Sequence, residues 1–245
     1  MIGWRGRIGL IIPSTNTTVE YEYTKMAPDG ISVHVSRICY PETTDPKEKE
    51  KNLLRLGDDA IKAAKEVASV KPAVIAFCCT SGSFIAGEAH DKEIIDNIEK
   101  ETGIPAITTS RAVLESFRQL NLKKIAMATP YNEEIAKKEV EYFEKIIPGF
   151  KIVAMRNLGI VAALPKGNLH PSSAYISAKE VDVPEAEAIF ISCTAWRTIE
   201  IIELLEKDLG KPVITSNQAT MWALLKKMNI HSIEGYGKLL RELWY

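Results

Sequence analysis

Cys79 and Cys193 are the residues of this chain best placed to do chemistry. Each ends an apolar run and is followed by threonine: Ala73-Val74-Ile75-Ala76-Phe77-Cys78-Cys79-Thr80 in the first half, Ala188-Ile189-Phe190-Ile191-Ser192-Cys193-Thr194 in the second. Four cysteines occur in 245 residues, so two of them in one duplicated context point to a pair of thiols facing a single substrate. A thiol is useful as thiolate or as proton donor, and its pKa falls from ~8.5 to roughly 3.5–7.5 at a helix N-terminus. Both cysteines are expected at such a terminus. After Cys79 the backbone N–H groups and hydroxyls of Thr80, Ser81, Gly82 and Ser83 suit a carboxylate or an enolate oxygen, and Thr194 offers the same from the other side. Either cysteine alone reads equally well as a small packed hydrophobe. The repeated Cys-Thr is what packing does not explain.

The remaining candidates divide by the same test. Pro13-Ser14-Thr15-Asn16-Thr17-Thr18 precedes a helical run from Val19 and holds more hydroxyl and amide groups than one helix cap needs; Ser14 and Asn16 are expected to meet a carboxylate. Tyr131 is the counterpart of Ser14 in the second half and offers its hydroxyl to an oxyanion. Cys78, on the opposite face of its strand from Cys79, is expected to be structural, and Cys39, beside Tyr40, to be packed. His34, His90, His170 and His231 are widely separated with no metal-ligand spacing, and no zinc framework joins the cysteines. Trp196 serves equally as a lobe-interface residue or as a wall of the pocket, and His170 is placed on a flap.

These residues need a scaffold, and the scaffold is duplicated. Arg7-Ile8-Gly9-Leu10-Ile11-Ile12-Pro13 matches Lys124-Ile125-Ala126-Met127-Ala128-Thr129-Pro130, and Gly103-Ile104-Pro105-Ala106-Ile107-Thr108 matches Gly210-Lys211-Pro212-Val213-Ile214-Thr215, in the same order about each Cys-Thr. A unit of more than ~100 residues is a duplicated domain, not a solenoid repeat. Strand-like runs at 7–12, 31–38, 73–78, 104–107, 124–129, 151–155, 187–192 and 212–215 alternate with helical segments at 47–70, 88–102, 110–120, 132–147 and 197–208. This alternation predicts an α/β fold of two pseudo-symmetric lobes, each a small parallel sheet flanked by helices. The lobes are placed at 1–112 plus 218–245 and at 113–217, with a final helix at about 218–229 returning to the first. Segments 41–46 and 164–171 read as loops, equivalent flaps over the cleft. Open parallel sheets bind ligands beyond the carboxyl ends of their strands, which puts the active site between the lobes.

Composition limits the partners. With 31 basic and 32 acidic side chains the formal charge is −1, so no field gathers nucleic acid or an anionic membrane. No apolar stretch approaches the ~20 residues of a membrane span, and no signal-peptide pattern is seen. The expectation is a cytoplasmic protein, a homo-oligomer, with a small carboxylate as its substrate.

At the residues quoted the chain resembles the aspartate/glutamate racemase superfamily, and within it the maleate cis-trans isomerase and arylmalonate decarboxylase branch. The specific segments are Pro13 to Glu20, Cys79-Thr80-Ser81-Gly82-Ser83, Thr129-Pro130-Tyr131 and Ser192-Cys193-Thr194, and the resemblance runs essentially the full length. It implies an enzyme without cofactor or metal, with Cys79 as nucleophile, Cys193 as partner acid or base, and Asn16, Tyr131, Thr80, Ser81 and Thr194 on the substrate. Ser14-Thr15-Asn16 and Ala195 depart from the glutamate racemases, and Cys79 departs from the arylmalonate decarboxylases. The resemblance also implies a substrate-binding asparagine shortly after Leu158-Gly159-Ile160, where this chain has Ala163; Asn157 and Asn168 are the candidates to replace it. The activity implied is isomerisation of maleate or a related dicarboxylate. A racemase of hydantoin or amino-acid type, a decarboxylase, a two-lobed binding protein and a thiol-redox protein are the alternatives.

Overall fold

The computed structural model describes residues 2–230 and 233–242; His231 and the last three residues of the expected first lobe lie outside them. The first half begins with β1 (Gly6–Pro13), α1 (Val19–Met26) and β2 (Ile31–Ile38), then α2 (Pro46–Ala68) and β3 (Val74–Phe77). It continues through α3 (Thr80–Phe84), α4 (Glu88–Thr102), β4 (Ala106–Thr108) and α5 (Thr109–Gln119). The second half runs β5 (Lys124–Thr129), α6 (Glu133–Ile146), β6 (Lys151–Asn157), α7 (Leu164–Gly167), α8 (Pro171–Val181) and β7 (Ala188–Ile191). It closes with α9 (Ile202–Leu209), β8 (Val213–Thr215), α10 (Ser216–Lys227) and α11 (Lys238–Arg241). All eight expected strands are present.

The strands form two four-stranded sheets ordered β2-β1-β3-β4 and β6-β5-β7-β8, parallel throughout. The two halves thus share one topology, an α/β fold whose strand order reverses between β1 and β3 and again between β5 and β7. Central strands β3 and β7 are buried along their whole length, which is why they read as unbroken apolar runs rather than as alternating ones.

The repeat extends to the caps. Gly103 and Gly210 close α4 and α9 in the left-handed conformation, φ +68° and +65°, which costs a glycine little. Thr108 and Thr215 then cap α5 and α10 by accepting from Arg111 N and Gln218 N. Helices α5 and α10 lie against each other, and both touch β4 and β8. The boundaries expected at 112 and 217 therefore fall within the two helices that join the sheets, rather than in linkers.

Three local expectations are corrected. Segment 164–171 is not a loop: Pro165 sits in the first turn of α7 and Pro171 in that of α8, where proline's fixed φ and missing N–H favour a helix start. The helix expected from 197 begins at Ile202; before it Ile201 N donates to Thr198 O in a turn, and the Thr198 and Ile199 N–H groups are held by the Glu22 carboxylate at 2.6 and 3.2 Å. Cys39 is exposed rather than packed, one residue past the end of β2.

Candidate active site

The loops after β1, β3, β5 and β7 meet at the two points where strand order reverses, the position at which open parallel sheets hold ligands. They enclose a cavity lined by Thr15, Asn16, Cys79, Thr80, Ser81, Tyr131, Cys193 and Thr194, with Tyr40, Lys49, Ala163 and Lys166 closing it. Its volume is about 40 Å³. Such a site suits a compact ligand.

The floor is bonded from half to half. Asn16 Oδ1 accepts from Thr18 N and Val19 N, both at 2.9 Å, so the amide is fixed with Nδ2 facing Thr194 Oγ1 at 3.2 Å. One N–H of that amide remains for a ligand. Thr194 Oγ1 donates to Cys78 O at 3.3 Å, and Thr18 Oγ1 to Ala195 O at 2.7 Å. Thr80 Oγ1 donates to Ser216 Oγ, which accepts also from Cys193 N, each at 3.0 Å. Thr80 and Ser216 therefore orient the two cysteine segments relative to each other.

The two sulfurs have different surroundings. Cys79 is the N-cap of the five-residue α3. Burial pushes its thiol up, while the Gly82 N–H, the Lys49 ammonium and the Ser81 hydroxyl, 4.0 Å from the sulfur, pull it back. Cys193 starts no helix, contrary to expectation; it stands in a turn with φ +104°, a conformation that is costly for a side chain and is found at sites the surroundings over-determine. Tyr131 is buried beside it, and its hydroxyl is held well above the ordinary tyrosine range by burial first and by the neighbouring Cys193 sulfur second. Both cysteines are free thiols.

Of the residues singled out in the sequence, Asn16, Cys79, Thr80, Ser81, Tyr131, Cys193 and Thr194 line the one cavity. Ser14 and Asn168 do not. Ser14 is exposed and accepts from Tyr40 N at 2.9 Å, spending its hydroxyl on the β1–β2 edge. Asn168 is the exposed C-cap of α7, and that helix turns it away from the cavity. Asn157 ends β6 and does not line it either, whereas Ala163 does. Cys78 is buried with its sulfur 3.6 Å from Tyr23 Oη, and burial raises it to about 12. Trp196 is buried, its Nε1 donating to Ser173 Oγ at 2.9 Å, and His170 caps α8.

Sequence reasoning passed over Tyr40, Lys49 and Lys166. Lys49 lies in the charged run Lys47-Glu48-Lys49-Glu50-Lys51, which resembles a solvated helix face. Its phase was the available signal: Lys49, Leu53, Leu56 and Ala60 recur at i+4, i+3 and i+4, and all four are buried. Lys166 carries no comparable mark. Its ammonium donates to Val161 O and Ala162 O at 2.9 and 3.1 Å, and burial, with Lys49 nearby, lowers it to about 8. Helix α7 is held over the cavity by Glu42, which accepts from Ala163 N at 2.9 Å and Leu164 N at 2.6 Å.

A two-lobed parallel α/β chain with one cysteine from each lobe in a shared cleft is of the aspartate/glutamate racemase-like class. Within that class the model of the arylmalonate decarboxylase family matches residues 8–240, and the chain belongs to that family. Maleate isomerase of Nocardia farcinica is 27% identical, with 96% of each chain covered. Arylmalonate decarboxylase of Bordetella bronchiseptica is 26% identical over the same shares. Among solved structures, maleate isomerase of Pseudomonas putida S16 with maleate superposes with a TM-score of 0.89 at 24% identity, covering 96% of this chain and 97% of that one. A cysteine-to-serine mutant of the Nocardia farcinica enzyme, carrying a covalently bound succinylcysteine intermediate, gives 0.88 at 24%, covering 97% and 98%. These structures share the fold.

Proposed function

We propose that this chain is a cis-trans isomerase of maleate or a related small dicarboxylate, working through Cys79 and Cys193 without a cofactor. The observation that carries the reading is that the two Cys-Thr strand ends open on one small cavity into which Asn16, Ser81, Tyr131 and Lys49 also face. The maleate isomerases among its relatives support the substrate class.

In the first step the Cys79 thiolate adds to one alkene carbon. A C–S bond forms, and the π pair moves onto the neighbouring carbon and its carboxylate as an enediolate. The Lys49 ammonium favours the thiolate beforehand. The Ser81 hydroxyl and the first N–H groups of α3, those of Thr80 and Ser81, would stabilise the developing oxyanion, a role in which loss of one donor costs ~3 kcal/mol of barrier. Asn16 and Tyr131 hold carboxylate oxygens. Cys193, on the opposite side, gives a proton to the carbanion and takes it back, so the intermediate is a succinyl thioether. Rotation about the former double bond, now single, precedes expulsion of the thiolate, which restores the alkene as trans. No proton or electron is gained or lost overall.

Arylmalonate decarboxylation, the reaction after which the family is called, fits less well. Lys49 and Lys166 both face the cavity, which suits a second carboxylate better than an aromatic ring. The deciding measurement is proton NMR with maleate in deuterium oxide, where a fumarate vinyl signal is expected to appear. Cys79→Ala and Cys193→Ala are expected to fold and to lose at least ~10³-fold in turnover. Wild-type turnover in either variant would sink the two-thiol mechanism. Deuterium washing into the α-carbon of an amino acid or hydantoin, with maleate untouched, would make the chain a racemase.

A further inference from the structure

Two buried carboxylates outside the cavity are met by several donors each. Asp91 accepts from Thr108, from Tyr142 Oη at 2.8 Å and from Arg111 Nε at 3.1 Å. Glu22 accepts from Thr198 N, Ile199 N and Asn217 Nδ2. The cations of the cavity are met differently. Lys49 is only 6% exposed, yet among the described residues its ammonium has neither an ion-pair partner nor a hydrogen-bond acceptor, only the face of Tyr40 at 4.5 Å. The Tyr40 hydroxyl is buried without a partner, as is Thr15 Oγ1. Lys166, 3% exposed, spends two of its three donors on carbonyls and lies 5.4 Å over the Tyr131 ring.

A buried donor without an acceptor is costly, and native proteins rarely keep one unless something outside the chain answers it. Here the unanswered groups are cationic or hydroxylic, and all line one cavity. With both sulfurs as thiols, the cavity carries two positive charges. A monocarboxylate leaves one unmatched, while a dicarboxylate matches both.

We infer that Lys49 and Tyr40 from the first half, with Lys166 from the second, form a second-anion subsite that takes the carboxylate remote from Asn16 and so selects dicarboxylates over monocarboxylates. Lys166 stands on α7, which Glu42 holds by two N–H bonds, while Lys49 comes from α2 and Tyr40 from the segment after β2. The inference rests on the cavity being the substrate site, and not on the isomerisation itself.

The test uses succinate and butyrate, acids of similar length without a double bond, titrated calorimetrically into the full chain. The wild type is expected to bind succinate at least tenfold more tightly than butyrate. Lys49→Met is expected to lose that preference while its affinity for butyrate moves less than about threefold, and Lys49→Arg to retain it in part. Tyr40→Phe keeps the ring under Lys49 and removes a hydroxyl with no internal partner, so it is expected to fold at least as well and to bind succinate several-fold more weakly. Equal affinity of the wild type for the two acids, or an undiminished succinate preference in both Lys49→Met and Tyr40→Phe, would overturn the subsite. Succinate binding that depends on Lys49 without any turnover of maleate would instead sustain the subsite and defeat the isomerase reading.

Discussion

Replacing Glu139 by glutamine should make the protein more stable at alkaline pH, and by an amount the structure sets. Glu139 lies inside α6 with no exposed surface. Its Oε1 accepts from Ser192 Oγ at 2.5 Å, and its Oε2 has no partner. With one hydrogen bond against complete burial, desolvation dominates, and the carboxyl rises from 4.5 to about 8. Between those values the folded protein holds a proton that the unfolded chain has released. Stability therefore falls as pH climbs through this window, by ~1.4 kcal/mol for each pH unit and about 5 kcal/mol across it. Glutamine keeps the acceptor for Ser192 and cannot ionise. Its amide N–H₂ lacks an acceptor, as does the protonated Oε2 it replaces, so the two proteins should agree within about 1 kcal/mol near pH 4.5. Urea unfolding at pH 5, 6, 7, 8 and 9 measures the difference, which should widen in favour of Glu139→Gln up to pH 8 and then level off. Parallel profiles for the two proteins would refute the reasoning, since they would mean that Glu139 titrates alike folded and unfolded.

Gly82→Ala places a methyl group 3.0 Å from Cys79 Sγ, so the sulfur must shift by a few tenths of an ångström, away from the residue whose N–H supports the thiolate. Isomerase turnover is expected to fall at least tenfold with the circular dichroism spectrum unchanged; undiminished activity would remove Gly82 from the account of Cys79. Cys78→Ala removes a thiol bonded only to Tyr23 and Ala76 within the core. A stability loss of about 1–2 kcal/mol in urea is expected, with turnover within twofold of wild type, and a collapse of turnover would show that the wrong sulfur of the vicinal pair has been assigned.

Much of the fold was legible because the repeat let each half check the other. The paired Gly-x-Pro blocks, each ending in Thr, fixed β4 and β8 and the helices after them, and the glycine and threonine caps explain why those blocks are repeated at all. Punctuation misled where proline had two meanings: Pro165 and Pro171 read as loop and turned out to begin helices. The start of α9 was illegible locally, since the turn before it is held by Glu22, 176 residues away from Thr198. The sequence pointed to the polar residues of the cavity that follow strands, from Asn16 to Thr194, because topology alone carries strand ends to one place. It did not point to Lys49 or Lys166, whose positions depend on helix phase and on a cross-cleft bond. Ser14 and Asn168 show the converse error: a polar residue at the right chain position whose hydrogen bonds are spent elsewhere, or whose helix faces it outward.

The unequal fastening of the cleft has a consequence for traffic. Beneath the sulfurs the halves are riveted by Asn16 to Thr194, Thr18 to Ala195, Thr80 to Ser216 and Glu22 to Thr198 and Ile199, all out of reach of water. Above them, the exposed Glu42 carboxylate holds a four-residue helix by two N–H bonds, each worth ~1.5–3 kcal/mol because the acceptor is charged. Swinging the lobes apart like jaws would rupture every rivet at once, whereas lifting α7 breaks two latches at the surface. Molecules should therefore come and go through a trapdoor whose underside carries Lys166, and each opening of the door would take away part of the grip on whatever lies within.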